Sequence, residues 1–197
     1  MNHVSRRSVA LIGVITIFVT SCSTDDGRRM QEPVGGPPIV GTTAPASDID
    51  ATGWKLTAPW EAGGEINIRY TCDGEGISPP LVWGEGPEMT RAYGIVLTPQ
   101  DDPNTVLWAL ADIPIQTRNL VEGLGPDGAI VSVNASGALG YQAPCPDAGI
   151  SQQFEITVYA QEFPLESAPN TPASQMRDAL QEVALDAVST TFTHQRR

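Results

Sequence analysis

The chain has 197 residues and carries 11 Lys and Arg against 23 Asp and Glu, which gives a formal net charge of −12 at pH 7. This acidic balance argues against nucleic acid as a partner, because phosphate backbones are bound by Lys and Arg clustered on one face. The part of the chain that follows an N-terminal leader is long enough for one domain with its own core.

Residues 1–21 are predicted to be an export signal. His3, Arg6 and Arg7 make its start basic, and the apolar stretch at residues 9–19 is too short for a stable membrane span. No Ala-x-Ala cleavage site precedes the cysteine that follows, and polar residues begin directly after that cysteine. The pattern favours the signal peptide of a lipoprotein, and an ordinary signal peptide with an incidental cysteine is the alternative.

Cys22 is the predicted lipidation site. It follows Val19-Thr20-Ser21, and a hydrophobic residue with two small ones before a cysteine resembles the bacterial lipobox, where the thiol carries diacylglycerol. Diacylglycerol meets the two-chain requirement for stable anchoring. We therefore expect an exported protein that lipid on Cys22 holds on the extracytoplasmic side of the cell membrane.

Residues 22–50 are predicted to be the lipidated cysteine and a flexible tether. Asp, Thr, Ser, Gly and Pro dominate this stretch, and its few apolar residues cannot offset the entropy lost on ordering. A single domain is expected at residues 51–194, with a short tail at residues 195–197.

Alternation of apolar and polar residues predicts β-strands through most of this domain. The strands are expected at residues 54–57, 65–70, 81–83, 91–98, 106–113, 129–133 and 154–160. The stretch at 106–113 is nearly all apolar, which is typical of a strand buried on both faces. Strands separated by Gly/Pro turns predict a mostly β fold, a sandwich of antiparallel sheets.

The apolar period changes only near the end of the chain, where residues 174–188 predict a single C-terminal helix. Pro172 precedes this helix and Ser174 is a plausible N-cap. The residues at helical spacing are Met176, Leu180, Val183, Ala184 and Ala187.

Two cysteines remain once Cys22 is lipidated. Cys72 and Cys145 in an exported chain suggest one disulfide, although sequence spacing alone does not place them within bonding range. Two buried free thiols are the alternative. A metal site is the least favoured interpretation, because no third and fourth ligand accompany the cysteines.

Two segments of the domain resemble the bacterial branch of the phosphatidylethanolamine-binding protein family, also called Raf kinase inhibitor-like proteins. The segment at 70–83 contains Cys-Asp-Gly and Ser-Pro-Pro-Leu-Val-Trp, and the segment at 140–146 contains Pro-Cys-Pro. The resemblance covers roughly residues 54–192. It implies a β-sandwich with a few peripheral helices and a small anion-binding pocket at one end of the sheets.

The resemblance also assigns the residues of this ligand-binding pocket. They are Asp101, Pro103, Trp108, Pro144, Pro146, Gln152 and Phe154. Leu107 and Gln152 stand where the family has histidines, and Phe154 stands where it has tyrosine. An imidazole that can charge near neutral pH strengthens a bond to phosphate, so we expect a pocket of related shape with weakened phosphate affinity. For Asp101, an exposed residue of an Asx turn is the alternative interpretation.

The leading functional prediction is a non-enzymatic envelope lipoprotein whose domain binds a small ligand or a protein partner, with no cofactor and no metal. A secreted hydrolase that uses a carboxylate pair is the second hypothesis, because 23 acidic residues allow many pairs, but the sequence has no Gly-x-Ser-x-Gly motif and no metal-spaced cluster. His194, near the C-terminus, is expected to be solvated rather than catalytic. A purely structural or interaction domain is the third hypothesis.

Overall fold

The computed structural model describes residues 53–196. The predicted signal peptide at 1–21, the lipidation of Cys22, the tether at 22–50 and the first two residues of the predicted domain lie outside the described residues, as does Arg197. Among the described residues, no helix has the length and apolar character needed to cross a bilayer.

The described residues form two antiparallel sheets and one α-helix. In chain order the elements are β1 (Leu56–Thr57), a 3₁₀ turn (Ile68–Tyr70), β2 (Leu81–Trp83), β3 (Ala92–Pro99), β4 (Trp108–Pro114), β5 (Asn119–Leu120), β6 (Ile130–Val131), β7 (Ser151–Gln161), α1 (Ala173–Val183) and β8 (Ala184–Gln195). The smaller sheet has the order β1-β2-β5 and the larger one the order β6-β4-β3-β7-β8. The predicted mostly β, antiparallel fold is confirmed.

The main core lies between the two sheets. Leu81 and Trp83 from the smaller sheet pack against Tyr93, Ile95 and other buried residues of the larger one. β7 alternates between buried and partly exposed residues from Phe154 to Ala160. Such alternation is expected of a strand with one face on the core.

β3 and β4 are buried on both faces because α1 covers the side of the larger sheet that points away from the smaller sheet. Met176 and Leu180 of the helix pack in one cluster with Val96 and Ala109. Gly94 makes this approach feasible, since a Cβ at that position would lie 2.2 Å from the Leu180 side chain. The prediction that residues 106–113 are buried on both faces is therefore confirmed for the part within β4.

The predicted C-terminal helix is wrong in its extent. α1 ends at Val183, and Ala184 begins β8, which pairs with β7 along nearly its whole length. Ala184 and Ala187 fit a helical period, but the long β7 strand offers them a ladder of backbone hydrogen bonds. The helix begins after Pro172 in the N-cap position, with no side-chain cap, so Ser174 is not the cap.

The predicted strand at residues 65–70 is also wrong. Glu65 forms an isolated bridge with Thr193, and the chain then turns into the 3₁₀ turn at Ile68–Tyr70. Asn67 explains this change, because its Oδ1 accepts a hydrogen bond from the backbone N–H of Arg69 over 3.0 Å. Ile68 thereby becomes half-exposed instead of continuing an apolar face.

Candidate functional site

A disulfide joins two loops at one end of the sheets. Cys72 and Cys145 are bonded, with their Cα atoms 5.3 Å apart. The backbone N–H of Cys72 also donates a hydrogen bond to the Pro144 carbonyl oxygen over 3.2 Å. The structure thus contains the disulfide that the sequence suggested, and neither free thiols nor metal ligation describes this pair.

Gly74 allows the first of these loops to fold tightly against the 3₁₀ turn. A Cβ at Gly74 would lie 2.1 Å from the carbonyl oxygen of Ile68, so any other residue would collide with the backbone there. We call residues 72–76 the disulfide loop. Its tight path places the Asp73 side chain beside the end of β8.

Asp101 and Gln152 are brought together by the structure. Nε2 of Gln152 donates a hydrogen bond to Oδ1 of Asp101 over 2.8 Å. The backbone supports this contact, since the N–H of Gln100 donates to the carbonyl oxygen of Gln153 over 2.9 Å. Asp101 therefore holds the turn after β3 against the start of β7.

Trp108 lies in a different environment, against Tyr141. The two rings meet edge to face, with their centroids 5.4 Å apart and their planes at 90°. They wall a cavity of about 300 Å³, which we call the Trp108 cavity. Its other lining residues are Gly76, Ile77, Ser78, Leu110, Gly123, Leu124, Gly125, Val131 and Gly140. None of these side chains carries a charge, so the cavity suits an uncharged molecule with apolar faces.

The remaining predicted pocket residues differ in burial and in their contacts. Pro144 and Pro146 are buried and Pro103 is exposed. Phe154 is buried and stacks on Phe192, with centroids 5.3 Å apart. The Trp108 cavity is lined by neither Pro144 nor Gln152.

Leu107, which the resemblance places where the family has a histidine, is buried in the core between the sheets. Leu107 forms hydrogen bonds through its backbone alone. Its N–H donates to the Leu97 carbonyl oxygen, and its carbonyl oxygen accepts from the N–H of Gln142. The two positions at which the resemblance predicts imidazoles in the family thus hold an apolar side chain and an amide with one N–H bonded to Asp101.

Two tyrosines stiffen the backbone beside the Trp108 cavity. The Tyr141 hydroxyl donates a hydrogen bond to the Tyr70 carbonyl oxygen over 2.7 Å, and the Tyr70 hydroxyl donates to Oε2 of Glu122 over 2.8 Å. Burial raises the pKa of the Tyr141 hydroxyl, and the nearby Tyr70 adds to the rise. Burial, followed by the hydrogen bond to Glu122, raises the pKa of Tyr70 to about 12. Both hydroxyls therefore stay neutral and bonded at physiological pH.

His194 is buried, which corrects the expectation that it is solvated. Only 3% of the residue is exposed. Because β8 continues to Gln195, His194 falls on the same inward face as Thr190 and Phe192, directly opposite Gln152 of β7. The alternation of Thr190, Phe192 and His194 is the signal in the sequence for this strand, which the sequence analysis did not predict.

The His194 imidazole faces the disulfide loop. Its Nε2 lies 3.4 Å from Oδ2 of Asp73, and Nε of Arg196 lies 3.5 Å from Oδ1 of the same carboxylate. Within residues 53–196, no group of three or more His, Cys, Asp and Glu residues is placed to hold a metal ion.

Comparison with known families and proteins agrees with this geometry. Residues 57–195 match the family model described as "Phosphatidylethanolamine-binding protein". A "UPF0098 protein" of Methanothermobacter thermautotrophicus is 35% identical over 125 residues, which cover 60% of this chain and 82% of the relative. The "Putative lipoprotein LppC" of Mycobacterium tuberculosis is 25% identical over 187 residues, which cover 91% of each chain.

A solved structure supports the fold independently. The crystal structure of Escherichia coli YbcL, described as a new member of the mammalian PEBP family, superposes with a TM-score of 0.67 at 19% identity. The superposition covers 73% of this chain and 99% of YbcL. At this level of identity the likeness concerns the fold alone.

Proposed function

The chain belongs to the phosphatidylethanolamine-binding protein family, and on that basis we propose that it is a membrane-anchored binding protein without enzymatic activity whose ligand is small, uncharged and apolar-faced. The observation that carries the proposal is the Trp108 cavity. Its volume of about 300 Å³ lies at the lower end of the range for small-molecule pockets.

The character of the cavity wall supports an uncharged ligand. Trp108 and Tyr141 present ring surfaces at right angles, and Leu110 and Val131 add aliphatic surface. The Tyr141 hydroxyl is engaged with a backbone oxygen. A charged ligand would lose its hydration in this cavity without gaining an ionic partner, and that loss is costly.

The contact between Asp101 and Gln152 supports weak binding of anions. One N–H of the Gln152 amide is engaged by Asp101, and the Asp101 carboxylate beside it repels phosphate. Phe154 lacks the hydroxyl of the family tyrosine. The side chains of the predicted pocket therefore offer an anion few hydrogen-bond donors.

Anchoring is supported by the lipobox at Cys22 and by the similarity to the M. tuberculosis protein named as a lipoprotein. That similarity covers 91% of this chain, so it extends upstream of residue 57, where the family match begins. A lipid on Cys22, followed by a polar tether, would keep the binding domain close to the outer face of the membrane.

A cavity-filling variant tests this proposal. Gly125 lines the Trp108 cavity and a Cβ there would meet no heavy atom within 4 Å, so Gly125→Leu adds a side chain at the cavity wall without a clash. Isothermal titration of the full chain in lipid nanodiscs, with empty discs as the blank, should detect saturable binding of benzyl alcohol. We expect Gly125→Leu to weaken that binding by about tenfold, equivalent to ~1.4 kcal/mol.

Two controls accompany the titration. Ala62→Leu adds the same side chain at an exposed position and should bind as the wild type does. Benzoate has the shape of the probe with a negative charge and should bind more weakly than benzyl alcohol. Equal binding by wild type and Gly125→Leu, with both proteins folded by circular dichroism, would overturn the assignment of this cavity.

A further inference from the structure

The disulfide joins two stretches of chain that also form part of the wall of the Trp108 cavity. Residues 76–78 follow Cys72 closely in sequence, residues 140 and 141 shortly precede Cys145, and all five of them line the cavity. Because the cysteines are 73 residues apart in sequence, their bond is a long-range covalent link between two parts of this wall. The covalent state of the two sulfur atoms therefore affects how firmly these parts are held together.

Two hydrogen bonds also connect the same stretches. The backbone N–H of Cys72 donates to the Pro144 carbonyl oxygen over 3.2 Å, and the Tyr141 hydroxyl donates to the Tyr70 carbonyl oxygen over 2.7 Å. A single hydrogen bond contributes much less to stability than a disulfide that closes a long loop. Breaking the disulfide therefore removes the strongest link between these two parts of the wall.

Each part of the wall is also held separately by the rest of the fold. The N–H of Gly76 donates to the Arg69 carbonyl oxygen over 3.0 Å, and the N–H of Gly140 donates to the Ser132 carbonyl oxygen over 3.0 Å. The buried residues of the core between the sheets do not include the two cysteines. Breaking the disulfide should therefore loosen the cavity wall and leave the two sheets folded.

The disulfide is open to chemical attack. Cys72 and Cys145 are both exposed. Exposed disulfides are typically the labile or regulatory ones, because an external thiol can reach their sulfur atoms. Residues 53–196 contain no third cysteine, so an external thiol rather than a neighbouring one decides the state of this pair.

From these observations we propose that the Cys72–Cys145 disulfide is an exchange site for an external dithiol, and that its reduction weakens ligand binding in the Trp108 cavity. The effect on binding rests on the proposed function of that cavity. In the oxidised protein the wall is closed by the disulfide and the cavity keeps its shape. In the reduced protein the same wall is joined by hydrogen bonds alone.

The exchange is balanced in electrons and protons. A thiolate of the dithiol attacks one cysteine sulfur, the bond between the two cysteine sulfurs breaks, and the other cysteine leaves as a thiolate. The second thiol of the reagent then displaces the first cysteine from the mixed disulfide. The dithiol becomes a disulfide and loses two electrons and two protons, which the two cysteines gain as they become thiols.

Dithiothreitol is the probe for this exchange. The full chain in lipid nanodiscs, treated with dithiothreitol without denaturant, should become alkylated by iodoacetamide at both Cys72 and Cys145. Isothermal titration should then show benzyl alcohol binding about tenfold weaker than in the untreated protein. Oxidised glutathione should restore the original affinity. The double variant Cys72→Ala with Cys145→Ala should bind as weakly as the reduced protein, with or without dithiothreitol.

A variant destabilised elsewhere separates this local effect from a general loss of stability. Leu180 of α1 is fully buried on the side of the larger sheet that points away from the smaller sheet. Leu180→Ala keeps the disulfide and removes buried side-chain volume, which destabilises a fold. It should bind benzyl alcohol as the wild type does.

Hydrogen exchange followed by mass spectrometry tests the loosening without any ligand. Reduction should speed the exchange of backbone amides in peptides that cover residues 70–78 and 139–146. Peptides from β3 and β7 should exchange at the same rate before and after reduction, because their ladders lie in the folded sheet.

Four results would overturn the proposal: a disulfide that dithiothreitol reduces only in denatured protein, equal benzyl alcohol affinity before and after reduction, an equal loss of affinity in Leu180→Ala, or unchanged exchange at residues 70–78 and 139–146. Failure of the oxidised wild type to bind benzyl alcohol would instead overturn the proposed function. In that case the exchange rates still decide whether the disulfide controls the cavity wall, so the two proposals are tested separately.

Discussion

Gln152 and Asp101 are tied to each other by a hydrogen bond in which Nε2 of the glutamine donates to Oδ1 of the aspartate over 2.8 Å. The bond links the start of β7 to the turn that follows β3. Both residues belong to the pocket that the family resemblance assigns. This bond ties the two residues together and engages one N–H of the Gln152 amide.

We expect phosphate and phosphoethanolamine to bind this protein weakly, with dissociation constants above about 1 mM. Replacing Leu107 and Gln152 by histidine restores the two imidazoles of the family pocket. The double variant should bind phosphate more tightly, and more so at pH 6 than at pH 8, because only a charged imidazole adds a charge-assisted bond. Isothermal titration of both proteins at the two pH values checks this.

The control for that experiment is Gln153→His, which places an imidazole on the exposed neighbour of Gln152. It should bind phosphate as the wild type does. Circular dichroism must accompany the titration because Leu107 is buried in the core. Sub-millimolar phosphate binding by the wild type, unchanged in the double variant, would show that backbone N–H groups hold the anion and that the missing histidines do not matter.

We expect Cys22 to carry lipid. Metabolic labelling with a fatty-acid probe should tag the wild-type chain and the control Ser23→Ala, and should leave Cys22→Ser unlabelled. The unlabelled variant should also leave the membrane fraction, because its anchor is lost. Label that persists on Cys22→Ser, or a mature N-terminus elsewhere, would argue against this prediction.

The Cys72–Cys145 disulfide should stabilise the fold substantially. It closes a sequence separation of 73 residues, for which the chain-entropy model gives about 4–5 kcal/mol as an upper figure. The double variant Cys72→Ala with Cys145→Ala should lose up to that amount of unfolding free energy in urea titrations. The control is reduced wild type, which should match the variant. Alkylation of both thiols in native, unreduced protein would contradict the pairing.

Stability should decline in alkaline solution through Tyr70. The pKa of its hydroxyl is raised from 10.0 to about 12 in the fold, so the unfolded chain releases this proton at lower pH than the folded one. The contribution is therefore intact below pH 10 and is lost as pH rises towards 12. Tyr141, whose pKa is also raised, acts in the same direction.

Urea unfolding at pH 8, 10 and 11 measures this effect. The wild type should lose stability between pH 10 and 11 more steeply than Tyr70→Phe, which cannot ionise at that position. At pH 8 the variant should be less stable by about 1 kcal/mol, because the bond to Glu122 is lost. Identical slopes for the two proteins would assign the alkaline transition to other groups.

Much of the fold could be predicted from the sequence because its strongest patterns are local. β3, β4 and β7 consist of long β-rich stretches, and the structure places them close to the predicted ranges. The Cys-Asp-Gly and Pro-Cys-Pro segments pointed to the family, and residues 57–195 match it. An exported chain with two cysteines likewise suggested the disulfide.

The last part of the chain could not be assigned locally. Residues 184–188 fit a helical period as well as a strand, and a helix was predicted there. Only the unpaired edge of β7 decides between them, because its backbone groups are satisfied when β8 pairs with it from Ala184 to Gln195. His194 depended on the same decision, since it faces inward only if β8 reaches that far.

The candidate site, too, could be predicted from the sequence only in part. The sequence alone indicated which residue types the predicted pocket contains, including Trp108, Gln152 and a leucine, Leu107, where the resemblance predicts a histidine. Tertiary structure alone decided which of them meet: Gln152 bonds Asp101, Trp108 packs on Tyr141, and His194 faces Asp73. The physical reason is that each of these contacts joins segments distant in sequence, and their geometry is fixed by sheet register and the disulfide rather than by any local preference.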